Sequence, residues 1–162
     1  MIDIALIREK PDWVKAQIGK LFDAAAAERI DAIIALDARR RALLTESERT
    51  QAARNRLNKA VGMLRGDKNL TDAQKQALAA RAADLIAAAD YDSVAALLTD
   101  KPALDAAADS GALDALNQAL GAMGGRVEGF NAQLREVEAE LEREMLWIPN
   151  LPHESVPVFE SE

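Results

Sequence analysis

The sequence predicts an all-α fold: a long antiparallel two-helix coiled-coil hairpin, with short N-terminal helices at its base and a small helical insertion at its tip. Three observations carry this expectation. The 162 residues are rich in Ala, Leu, Arg, Glu and Asp, and only 4% are aromatic, a composition poorly suited to a sheet. Two long stretches place their spine residues at alternating steps of three and four. Between them the composition shifts: residues 69–125 hold eight Asp and no Glu, and a third of them are Ala.

In chain order, Asp3 is suited to cap a short helix carrying Ile4 and Ile7. Pro11 suits the first turn of a second helix, with Trp13, Val14, Ile18 and Leu21 or Phe22 on one side. Residues Ala24 to Arg29 connect or continue that helix, and Asp31 is placed to cap the next one. The first spine then runs through Ile33, Leu36, Arg40, Leu43, Ser47, Thr50, Arg54, Leu57, Val61 and Leu64, apolar at both ends and polar in the middle. The second runs through Leu113, Leu116, Leu120, Met123, Val127, Phe130, Leu134, Val137 and Leu141 without a miss. Each stretch would be about 50 Å long as a helix, and equal lengths in one chain suggest a hairpin of residues about 30–65 against about 112–147. Glycines at 121, 124, 125 and 129 would break or bend the second helix, or let another helix come close.

The segment from about 67 to 111 reads as a helical insertion. Thr71 with Gln74 three residues on forms a capping-box signature, and Leu78, Leu85 and Ile86 give the helix it opens an apolar side. Ser93 to Leu98 and Pro102 to Ala108 read as shorter helices; a poorly ordered Ala-rich loop is the alternative. After the second spine, Leu146 to Val158 (LWIPNLPHESVPV) ends the helix with three prolines, and 148–162 reads as an extended exit segment, loosely held from Pro149 to Val158.

Much chemistry is missing. There is no cysteine for a disulfide or a thiolate metal site, and the one histidine, His153, lies between Pro152 and Glu154 as a turn residue. The run Glu136 to Glu144 spreads carboxylates around a helix instead of pairing them, and GAMGGRVEG lacks the context of a phosphate loop. No catalytic site, metal site or cofactor site is expected in this chain. No apolar run reaches signal or membrane-span length, so a cytoplasmic location without membrane contact is expected.

The charge is uneven. The net charge is −7, yet Arg39 to Lys68 holds nine basic and three acidic residues, while 69–125 holds three and eight, and 126–162 three and nine. At 100° per residue, Arg49, Arg56 and Lys59 fall within a sector of roughly 80°, nearly opposite the Leu57–Val61–Leu64 seam, with Arg54 and Arg65 flanking it. Such a row is either an ordinary solvated face or a track for a phosphate backbone, which gives affinity without reading base sequence.

Three motifs extend the reading: M-I-D-I with Arg8 and Pro11 at the start, L-D-x-x-R-R from Leu36 to Arg41 with R-N-x-x-N-K from Arg54 to Lys59, and I-P-N-x-P-H-x-S-V-P from Ile148 to Pro157. In this order the sequence resembles the N-terminal arm of bacterial-type seryl-tRNA synthetase, over about 1–65 and 126–158. The resemblance implies one tRNA-binding arm domain over residues 1–162, holding the long variable arm of serine tRNA through backbone contacts. The basic residues it points to are Arg49, Arg54, Arg56, Lys59, Arg65 and Lys68. It also implies a parent ligase that joins serine to tRNA using ATP and Mg²⁺ in a separate catalytic domain, homodimeric through that domain. The chain is expected to be the arm alone, as a truncation or a stand-alone relative. Two departures stand out: an acidic insertion of roughly 45 residues replaces the family's short basic tip, and Phe159 stands where Gly often comes after V-P-V. The competing reading is a helical scaffold or adaptor that binds a protein through the Ala-rich insertion and does not bind RNA.

Overall fold

The computed structural model describes residues 1–21, 24–104 and 110–151. Among them are six helices and no strand: α1 (Ile4–Glu9), α2 (Pro11–Gly19), α3 (Ala24–Gly66), α4 (Asp72–Ala87), α5 (Tyr91–Asp100) and α6 (Ala112–Leu146). The fold is all-α, and α3 and α6 are the two long helices the spines require. They contribute to two compact units: one from Met1–Leu44 and the stretch from Ala132 onward, the other from Thr45–Asn131.

Local signals set most helix starts. The Asp3 carboxylate accepts from the Ala5 N–H at 2.8 Å, Pro11 opens α2, and Thr71 and Gln74 form the full reciprocal capping box. Asp31 behaves differently from expectation. Helix α3 already begins at Ala24, because the Ala24–Ala27 run is the strongest helix-forming stretch nearby. Asp31 therefore lies inside the helix and pairs with Lys15 at 2.7 Å.

The first unit buries Ile2, Ile7, Val14 and Ile18 against Ile30 and Ile33 of α3 and Leu141 and Met145 of α6. Trp13 is 46% exposed, not on the buried side, since Val14 and Ile18 alone define the inward stripe of a helix this short. Beside the core lies a carboxylate absent from the apolar pattern. Asp37 is 1% exposed and meets Arg40 and Arg41 at 3.1 Å and Arg8 at 3.6 Å. The N-terminal amine donates to Asn150 Oδ1 at 2.9 Å, and Ile148 is buried in the same core. Residues of the start motif, of Leu36–Arg41 and of the exit motif (Ile148 and Asn150) thus meet in this unit, while Arg54–Lys59 belongs to the second.

In the second unit, α3 supplies Leu57, Val61 and Leu64, and α6 supplies Leu116, Leu120 and Met123. At the polar centre of the spine, Ser47 Oγ donates to Asn131 Oδ1 at 2.8 Å, and Thr50 is buried. Low numbers on α3 thus face high numbers on α6, the register of an antiparallel pair. The insertion joins this core: Leu78, Ala79, Ala82 and Ile86 of α4 and Tyr91, Val94 and Leu98 of α5 are buried with it. Leaving the end of α3, α4 lies along the helix pair, and α5 returns, so that Lys101 after α5 meets Asp67 after α3. The unit is a four-helix bundle. Alanines on α4 let its backbone approach closely where larger side chains would hold it off.

The glycines do not interrupt α6, which is continuous from Ala112 to Leu146. A Cβ at 121, 125 or 129 would meet nothing within 4 Å, so these positions cost some propensity while burial of the Leu116–Val127 side holds the helix. Pro102 to Leu104 is not helical; the rest of the expected helix to Ala108 lies outside the described residues, as do His153 and most of the exit segment.

Replacing Asp37 by Ala leaves three guanidiniums around an emptied site. We expect a loss of about 1–3 kcal/mol in urea unfolding, against less than about 0.5 kcal/mol for Asp31→Ala on the exposed pair. Equal losses would contradict this account of Asp37.

The Asp67 carboxyl sits below the ordinary carboxylate range, chiefly through the hydrogen bond from Lys101, then through the Asn69 N–H. A depressed folded-state value stabilises the fold above the ordinary carboxylate pKa and is lost as pH falls through the lowered value. Wild type should therefore unfold at a higher temperature than Asp67→Asn at neutral pH, and the gap should close on acidification. Melting both proteins between pH 7 and pH 2 checks the sign.

Candidate nucleic-acid interface

The basic residues singled out from sequence all belong to the second unit. Five lie on α3, and Lys68 comes just after its end. Arg49, Arg56, Lys59, Arg65 and Lys68 are exposed. Among the described residues no carboxylate forms an ion pair with Arg49, Lys59, Arg65 or Lys68. Their N–H groups are thus available to a ligand, and Arg65 uses its main-chain carbonyl, accepting from Lys75 Nζ at 3.0 Å.

Arg54 is placed differently. It occupies a spine position between α3 and α6, and its guanidinium lies 3.1–3.3 Å from where a Cβ on Gly124 would sit. Its Nε is buried without a hydrogen-bond partner. Gly124 is thus the one glycine of α6 whose missing side chain is used, and what passes over it is a flat cation. This geometry makes Arg54 mainly a packing residue of the helix pair.

The insertion changes the surroundings of Arg49 and Arg56. Helix α4 ends at a tight corner in which Ala89 takes a left-handed conformation (φ 59°) and the Asp90 N–H donates to Leu85 O at 2.9 Å. The Asp90 side chain then caps α5 through the Ser93 N–H at 3.2 Å, and its carboxyl is held below the usual range chiefly by the Ser93 side chain and then by this N–H. The corner sets Tyr91 and Asp92 beside α3. Arg56 pairs with Asp92 at 3.2 Å, with side chains 55% and 85% exposed, a weak solvent-facing contact. From α6, Arg126 donates to the Tyr91 hydroxyl at 3.0 Å.

Two cavities flank Tyr91. One, about 320 Å³, is lined by Arg49, Ala52, Ala53, Arg56, Tyr91 and Asp92. The other, about 420 Å³, is lined by Glu46, Arg49, Thr50, Ala89, Tyr91, Arg126 and Phe130. Sequence reasoning missed Arg126, Tyr91 and Asp92, because they reach α3 only through the folding back of the insertion. A lone Arg in a Gly-rich stretch and the chain's single Tyr gave no pattern to read.

Among the described residues, no group of three His, Asp or Glu side chains is arranged to hold a metal ion, and no helix is long and apolar enough to cross a membrane.

Comparison with known proteins bears directly on this basic helix. Residues 1–98 match the family model of the seryl-tRNA synthetase N-terminal domain. Similar curated proteins include the serine–tRNA ligases of Cupriavidus necator (32% identity over 165 residues, all of this chain and 27% of that protein) and Roseiflexus sp. (29% over 157 residues, 97% and 26%). That of Chloroherpeton thalassium is 26% identical over 157 residues, covering 97% of this chain and 27% of that protein. This chain thus spans about a quarter of the length of the curated relatives it matches. No solved structure matches it significantly.

Proposed function

The chain belongs to the family of seryl-tRNA synthetase N-terminal domains, and on that premise we propose that it is the tRNA-binding arm of a serine–tRNA ligase, gripping the long variable arm of serine tRNA by its phosphate backbone. The observation that carries the reading is the surplus of six positive charges between Arg39 and Lys68 in a chain of net charge −7. Six of the nine cations, Arg49 to Lys68, fall on or just after the second unit's part of α3, with Lys59, Arg65 and Lys68 exposed and outside any ion pair among the described residues. A row of separate cations at helical spacing suits a phosphate backbone better than the edge of a base, which needs paired donors at fixed geometry. The arm supplies affinity and orientation. Joining serine to tRNA, with ATP and Mg²⁺, falls to the remainder of such a ligase, a cytoplasmic enzyme that acts as a homodimer.

The adaptor reading has a protein bound through the Ala-rich insertion, and is favoured by the insertion's acidic charge and the net charge of −7. The apolar residues of α4 and α5 pack into the second unit, which leaves that surface less to offer a protein partner. The geometry therefore favours the RNA reading.

Binding should be weak and steeply salt-dependent, since each phosphate contact releases about one condensed counterion. Replacing both Arg56 and Lys59 by Ala should weaken binding to any long-armed tRNA and lower the salt slope by up to about two. Folding should be unchanged, because both side chains are exposed. The measurement is a fluorescence titration at several salt concentrations. Equal affinity for a serine tRNA stripped of its variable arm would show generic attraction, and a double variant that bound normally would return the row to an ordinary solvated face.

A further inference from the structure

We infer that the corner between α4 and α5 builds, together with Arg49, Arg56 and Arg126, a notch that takes a phosphodiester group of the RNA backbone, so that the insertion is part of the RNA interface. The inference rests on the RNA-binding reading above and extends it to residues outside the basic row of α3.

Three guanidiniums from two helices converge on one tyrosine. Arg49 lines both cavities, Arg56 the first and Arg126 the second, and Tyr91 stands between them. Each guanidinium has five N–H donors. Arg126 uses a nitrogen on Tyr91 and Arg56 a nitrogen on Asp92, so most of these donors remain for an anion. Volumes of about 320 and 420 Å³ are at the lower end of the range for small-ligand sites.

Two carboxylates, Glu46 and Asp92, face the same notch, leaving a surplus of one positive charge. They make the site selective instead of closing it. The Arg56–Asp92 pair is solvent-exposed and contributes little, so a phosphate that engages Arg49, Arg56 and Arg126 together replaces a weak contact with stronger charge-assisted ones. A single weak anion gains less from the exchange. The phosphate is assigned to RNA because the notch shares one side of α3 with Lys59, so a bound strand meets a further exposed cation along the same helix. Tyr91 is a positioning residue: nearly buried, it holds the Arg126 guanidinium through its hydroxyl, and it is held in turn by the Ala89 corner.

The test uses the whole chain and a serine tRNA with its long variable arm. Arg126→Gln should weaken binding several-fold and lower the salt slope by about one, Arg126→Lys should restore the slope, and Tyr91→Phe should fall between. Urea midpoints of the variants establish that the bundle is intact, and only variants with unchanged midpoints are compared. Lys59→Ala runs in parallel. If Lys59→Ala weakens binding while Arg126→Gln and Tyr91→Phe do not, the notch is refuted and the arm reading stands. If none of the three weakens it, both fall. Competition at constant ionic strength separates the sources of the anion. Inorganic phosphate and polyglutamate should displace the RNA no better than chloride does. Displacement by either from wild type but not from Arg126→Gln would assign the notch to free phosphate or to an acidic peptide and overturn the RNA assignment.

Discussion

Two apolar stripes must leave water, one on α3 and one on α6, and the rest of the structure is arranged around how they do so. Neither helix could persist alone, because a helix without a partner for its apolar face is only marginally stable in water. In each unit the pair is too thin to bury its own seam, and in each a second pair of helices completes the core. In the first unit α1 and α2 bring Ile7, Val14 and Ile18 to Ile30, Ile33, Leu141 and Met145. In the second, α4 and α5 bring Leu78, Ile86, Val94 and Leu98 to Leu57, Leu64 and Leu116. The same solution is reached by unrelated stretches of sequence because the same problem is posed at both places.

Polar groups then specify what the apolar contacts leave loose. A stripe of Leu and Ile tolerates slippage, since one apolar residue replaces another at little cost. Ser47 on Asn131 does not slip, because a shift would leave buried groups without partners. Asp37 acts similarly in the first unit, where it ties α1 to α3 through Arg8 while also pairing with Arg40 and Arg41 of its own helix. Asp37 offsets one of these positive charges, and the exposed cations Arg49, Arg56, Lys59 and Arg65 lie further along α3.

The insertion has two faces with different consequences. Its small apolar residues make it part of the core, and its corner makes it a neighbour of the cationic row. An acidic segment beside a phosphate-binding surface lowers affinity in general, but here its carboxylates meet only part of the row. Asp92 engages Arg56, and Asp67 engages Lys101, and neither forms an ion pair with Lys59, Arg65 or Lys68.

The heptad spacing by itself determined the all-α class, the two long helices and their antiparallel pairing, because a repeat of three and four residues has one geometric meaning and equal lengths in one chain have one simple closure. Caps were equally legible at Asp3, Pro11 and Thr71, where each signal acts within four residues. The basic row could be placed on α3 for the same reason. What lay beyond the sequence were matters of distance in space. Asp31 was absorbed into a helix whose start was decided by the alanines before it, and the glycines of α6 were held helical by burial that local propensity does not register. Asp37 and Arg54 show that a charged residue in or beside a spine acquires its role from what it faces. Only the tertiary structure decided that α4 and α5 lie back along the helix pair and set Tyr91 between Arg49 and Arg126, since that depends on how closely Ala-rich surfaces can approach, which no periodicity encodes.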